Sequence, residues 1–178
     1  MIKKIISRFG KNPSLLRDFN AICDTGGRFA GSESEETARA YLYHRLKEIT
    51  GFDPTRHPVN YSGWSRVDSI LDQVDGVQRS FPCVALVRSP PTKPGGLIAE
   101  LIDLGRGSEQ DFQKKSAEIR DRVVLVQHEY MFAANTIHRR LKYQWAIDHG
   151  ASGFLIACHL PDTGPVTGSS GATPERGV

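Results

Sequence analysis

Two continuous apolar runs with a helical pattern between them limit what this chain can build. VVLVQ at 123–127 and GFLIAC at 153–158 suit strands buried on both faces. Between them, TIHRRLKYQWAIDHG puts Ile137, Leu141, Trp145 and Ile147 on an approximate helical face that Gly150 closes. Strand, helix, strand in that order is a βαβ unit or a close relative. Upstream, SEQDFQKKSAEI at 108–119 reads as one helix leading into the first run. Earlier still, HPVNY, RVDSILDQV, CVALV and GLIAELIDL read as strands separated by punctuation such as SPPTKPGG, and their closeness favours antiparallel pairing.

The start of the chain is helical instead. Pro13 to Thr25 and Ser34 to Ile49 carry apolar residues near helical spacing, joined by the turn GGRFAGS at 26–32. Ser32 and Glu35 have the spacing of a capping box, which accounts for the start of the second helix. Gly26, Gly27 and Gly31 are surplus to that purpose. They point to a backbone at positive φ, or in close approach to another segment, that holds Arg28 in a defined place. From His159 to Val178 the chain is polar and turn-rich with no strand to pair, which reads as a tail or a connection.

Composition narrows the partners. A hydrophobic content of 39% and a charged content of 24% are those of a soluble globular protein. The net charge of +3 is spread over interleaved signs, with no basic block to track a phosphate backbone, so nucleic acid is not expected as a partner. Cys23, Cys83 and Cys158 are scattered, in no metal-binding spacing, and are expected as free buried thiols of a reducing compartment. The first residues lack the apolar segment of a secretory signal, and no run reaches the length of a membrane span, so a cytoplasmic protein without a membrane partner is expected.

Residues that tempt as catalysts fail on spacing. Glu35 and Glu36 sit in a first helical turn, where the helix dipole favours acids. His128 and Glu129 begin like H-E-x-x-H, but position 132 is Phe132. His138 and His149 lie about three helical turns apart, ~16 Å of rise, too far for one metal. His44, His57 and His159 are scattered. GSSGA at Gly168 has the wrong spacing for a nucleophile elbow and no strand before it. Trp64 and Trp145 read as core or interface residues.

GGRFAGSESEETARAYLYHRLKEI at 26–49 resembles the amino-terminal signature of the co-catalytic zinc aminopeptidases, metallopeptidase family twenty-eight, whose G-x-R-x-x-G turn matches Gly26 or Gly27, Arg28 and Gly31. Independently, LIAELIDLGRGSEQDFQKKSAEIRDRVVLVQ followed by AIDHGASGFLIAC looks like a protease-associated domain. The matching positions are Gly105, Gly107, Asp111, Phe112, Arg122 to Val126, Ala146, Gly150, Ala151 and Gly153. The order of the two is that of an aminopeptidase carrying such an insertion.

The resemblance implies an α/β fold: two leading helices of a peptidase domain over 1–54, then a protease-associated-like domain of mixed strands over 55–178, incomplete at its carboxyl end. It implies hydrolysis of a terminal residue from a peptide, by two zinc ions that activate a water while a glutamate takes its proton. Within the family the metal ligands follow the inserted domain, and none stands here in that arrangement. No catalytic and no metal residue is therefore assigned, and the chain alone is expected to be inactive. Gly27, Arg28 and Gly31 are read as a structural turn that supports the site, with Arg28 fixed by bidentate bonds or paired with Glu33 or Asp24. The competing reading is a noncatalytic module that binds peptides or a protein partner through the inserted domain, or a remnant of a decayed gene.

Overall fold

Asn12 caps the first helix, its side chain accepting from the Ser14 N–H, and Pro13 occupies the position where a missing N–H costs nothing. This helix, α1 (Pro13–Cys23), is followed by α2 (Glu33–Thr50), which starts at Ser32 and stops at Gly51 in the left-handed conformation. These details come from a computed structural model that describes residues 2–3, 7, 12–158, 164–165 and 168–171. The chain divides into two compact units, residues 1–65 and 66–178.

In the first unit α1 and α2 meet through polar groups. The Asp18 carboxylate accepts from Tyr41 Oη at 2.7 Å and from Arg45 Nε at 2.9 Å. Those two hydrogen bonds hold its pKa below the ordinary 3.8. Because the folded value is the lower one, the contact is complete above the unfolded carboxyl's pKa and is lost as pH falls through the folded value. Acid titration of the chain is therefore expected to loosen the α1–α2 contact below about pH 3.8, and Asp18→Asn removes that step. Amide exchange of α1 against pH measures it.

The second unit is built on a three-stranded parallel sheet in the order β3 (Leu101–Asp103), β4 (Val123–Gln127), β5 (Gly153–Ala157). Residue 101 pairs with 123 and 123 with 153, so the three strands start level. Helices α3 (Glu109–Lys114) and α4 (Ser116–Ile119) lie between β3 and β4, and α5 (Arg139–Asp148) lies between β4 and β5. The expected βαβ unit is present. Its core holds Ile102, Leu104, Phe112, Ile119, Val124, Val126, Ala146 and Ala151, with Trp145, Phe154 and Ile156 packed against it. Alternate residues of β4, Val124 and Val126, are fully buried. The chain is thus α/β, and among the described residues no helix is long and apolar enough to cross a membrane.

Several local expectations are corrected. HPVNY forms no strand, RVDSILDQV contributes only β1 (Asp72–Gln73), and CVALV makes a single bridge from Val87 to Ser169. The antiparallel partner of β1 is the short β2 (Arg79–Ser80), a segment with no strand signal. Val67 and Ile70 are more than four-fifths exposed; their alternation meets no packed face, and strand propensity without burial does not make a sheet. The helix expected over 108–119 breaks at Lys115, whose Nζ reaches Asp103 O at 3.1 Å. The tail expected to pair with nothing does pair: Val87 N–H donates to Gly168 O and Ser170 N–H to Val87 O, and Ser170 is buried. The rest of that segment, His159 included, lies largely outside the described residues.

Candidate functional site

At the carboxyl end of the parallel sheet, where open α/β sheets gather their functional groups, a charged side chain is shut inside the core. Lys142, on α5, is 0% exposed. Its Nζ donates to Arg106 O at 2.7 Å and Gln127 O at 2.9 Å, and lies 2.6 Å from Glu129 Oε2. Two carbonyl acceptors and an adjacent carboxylate compensate the buried ammonium group, the condition for burying one. The other Glu129 oxygen accepts from Arg106 Nε at 2.9 Å, and Arg106 Nη2 also donates to Asn135 O.

This clasp joins the turn after β3, the end of β4 and the loop that follows. Burial pushes the Glu129 carboxyl up, but hydrogen bonds from Lys142 and Arg106 outweigh it and hold the pKa below the ordinary value. With its oxygens beside two cations, Glu129 is not placed to act as a base, and Lys142 is held by two carbonyls and that carboxylate. The chemistry of the cluster is positioning. It anchors the start of a loop on which Tyr130 and Met131 are exposed and Phe132 is 97% exposed.

The glycines of the second motif explain how the clasp fits. Gly107 has φ +69°, and a Cβ there would sit 2.5 Å from Val126 Cγ1 and 3.4 Å from Lys142 Cδ. Gly105, at φ +57°, has open space. Asp111 closes a complete capping box with Ser108, whose hydroxyl and N–H hold its carboxyl below the ordinary range. Phe112, one residue on, is fully buried against Trp145 and His149. Gly150 takes φ +76° after α5, Ala151 is buried, and Gly153 opens β5 where a Cβ would press on Val123. These seven residues gather around one sheet and its helices.

The residues Gly27, Arg28 and Gly31 belong to the first unit. Arg28 is exposed and donates through Nη1 to Ile22 O at 2.8 Å and Gly26 O at 2.9 Å, so it closes the end of α1. Both of these bonds go to carbonyls and not to Glu33 or Asp24. Gly31 has φ +79°, and a Cβ there would meet the Tyr61 hydroxyl at 2.6 Å. Phe29 packs edge-on against Trp64, so the turn is pinned by the segment after α2. The Ser32 capping box forms by half: Ser32 accepts from the Glu35 N–H, while the Glu35 carboxylate pairs with Arg39.

Sequence reasoning missed Lys142 and passed over Glu129 as a failed zinc motif. His138 caps α5 by accepting from the Arg140 N–H, and His149 Nδ1 bonds Trp145 O. Of the three thiols expected to be buried, Cys23 is exposed and Cys83 and Cys158 are half-buried. A depression of about 260 Å³ beside α3 is lined by Asp103, Gly105, Asp111, Lys114 and Lys115. Asp103 and Asp111 are engaged there by Gly105 and Ser108. Among the described residues no three His, Cys, Asp or Glu side chains stand close enough to hold a metal ion. They do not form a zinc site.

No family model and no curated protein matches the chain. Solved structures do. BSAP, a zinc aminopeptidase from Bacillus subtilis, shares 18% identity and a TM-score of 0.55 over 88% of this chain and 35% of its own. An aminopeptidase from Aneurinibacillus sp. strain AM-1 shares 21% identity and a TM-score of 0.58 over 88% of this chain and 34% of its own. A likeness at this identity is one of fold. The chain spans about a third of the length of these neighbours. Residues 66–178 alone cannot supply 88% of the chain, so the likeness extends into the helical unit.

Proposed function

We propose that this chain is the leading part of a zinc-dependent aminopeptidase, comprising the first helices of a peptidase domain followed by a protease-associated-type domain. The observation that carries the reading is the fold likeness to two aminopeptidases over nearly all of this chain and only a third of theirs. The G-x-R-x-x-G turn at Gly26 to Gly31 and the motif from Gly105 to Gly153 support it from the sequence. Peptides are the substrate class. The metal-binding residues and the hydrolytic chemistry belong to the remaining two thirds of that fold, and the residues described here act by shaping and positioning. A reducing compartment, the cytoplasm, belongs to this reading because the scattered spacing of Cys23, Cys83 and Cys158 suits no disulfide framework.

The test is to purify the protein made from its own gene and assay it on aminoacyl amides of a fluorescent leaving group, with zinc content measured on the same sample. The expected result is release of amino-terminal residues that a chelator abolishes and zinc restores. A protein that binds no zinc and releases nothing overturns the proposal.

A further inference from the structure

Helix α1 is strongly amphipathic and α2 carries an apolar stripe on a polar helix, yet the pair buries little of its apolar side. No residue of α1 is buried, and Ala38 is the buried residue of α2. The two helices hold each other through Asp18, Tyr41 and Arg45, as described above. Leu15, Leu16 and Phe19 lie along one arc of α1, flanking the side that carries Asp18; Leu42, Leu46 and Ile49 follow at helical spacing on α2 beside Ala38. All six are between 44% and 63% exposed. Most charges on α2 are meanwhile engaged: Arg39 with Glu35 and Glu36, Arg45 with Glu48, and Lys47 with Asp53 just beyond the helix.

Helices of this length owe most of their stability to an apolar face packed on something else. Exposed large apolar side chains gathered on one arc of each helix mark an interface. Two facts say which. The aminopeptidase likeness extends into this helical unit, and about two thirds of the neighbours' length lies outside the matched part.

Resting on the function proposed above, we infer that the two stripes, Leu15, Leu16 and Phe19 on α1 and Leu42, Leu46 and Ile49 on α2, are the docking surface for the polypeptide that completes the aminopeptidase fold. The facing surface is apolar and without charge at its centre, since a buried charge opposite these residues has no partner here. This gives the first unit a purpose its own contacts do not: it is a cover that becomes part of a core only when the rest of the fold is present.

Carbene footprinting tests it on two samples, the protein made from its own gene and the 178-residue chain, with Phe132 as an internal reference. Labelling of the six side chains is expected to be roughly tenfold lower in the gene product, as half-exposed groups become interior, while Phe132 stays labelled in both. Equal labelling of the six in a gene product that binds zinc and hydrolyses peptides overturns the inference and leaves the proposed function standing. Protection that disappears on dilution shows a second copy of the chain as the occupant and also overturns it. A gene product without zinc or activity overturns the functional reading itself. A second variant guards against misfolding of the short chain: Leu46→Asp in the gene product is expected to raise labelling of Phe19 and Ile49, and unchanged labelling contradicts the docking surface.

Discussion

Lys142→Ala is expected to destabilise the chain by about 3–5 kcal/mol, the cost of breaking a buried ion pair from one side. The lysine is completely buried, and its removal strands Arg106 O, Gln127 O and one oxygen of Glu129 together. The stem matters as well, because its methylenes pack beside Gly107 and Val126. Lys142→Met keeps the stem and loses the charge, so it is expected to cost less than the alanine. Combining it with Glu129→Leu removes the unpaired carboxylate and recovers part of the loss. Urea denaturation of the four proteins measures the series. An alanine variant within experimental error of the parent would show that the clasp contributes nothing to stability.

Gly107→Ala is the second large effect. The left-handed backbone at φ +69° costs a residue with a Cβ about 1–2 kcal/mol. Forcing that Cβ to 2.5 Å from Val126 Cγ1 adds overpacking of about 1–3 kcal/mol. Gly105→Ala separates the two causes, since at φ +57° its Cβ meets nothing within 4 Å. It is expected to cost the backbone part alone, about 1–2 kcal/mol. Equal costs at the two glycines would mean that Val126 and Lys142 yield, and that the close packing at the clasp is soft. Denaturant midpoints at unchanged m-value decide between these.

The clasp also shows where the sequence stops being legible. A run such as VVLVQ specifies a buried strand by itself, because only a sheet interior accommodates it, and β4 and β5 form where that logic puts them. Helix α5 was legible as a helix but not by face. Periodicity counted Leu141 among the buried positions and ignored Lys142, whereas Leu141 is half-exposed and Lys142, Tyr143 and Ala146 face inward. A lysine reads as solvent-facing until its partners are in place, and those come from residues 106, 127 and 129, apart in sequence. The strand signals at 57–61, 66–74 and 83–87 failed for the opposite reason. At 57–61 and 66–74 the residues have the pattern but almost no face to bury, and at 83–87, where Leu86 is buried, the backbone finds a single bridge partner, so the decision rested on tertiary contacts that pattern does not encode. Arg28 was legible as a fixed residue, since glycines at positive φ surround it, while its partners, two carbonyls, carry no sequence signal.

The intact mass of the protein made from its own gene, measured with its zinc content, tests the central claim most directly. The expected mass exceeds 19.7 kDa by at least one further domain of roughly 100–200 residues, with zinc bound. A mass of 19.7 kDa without zinc would contradict it.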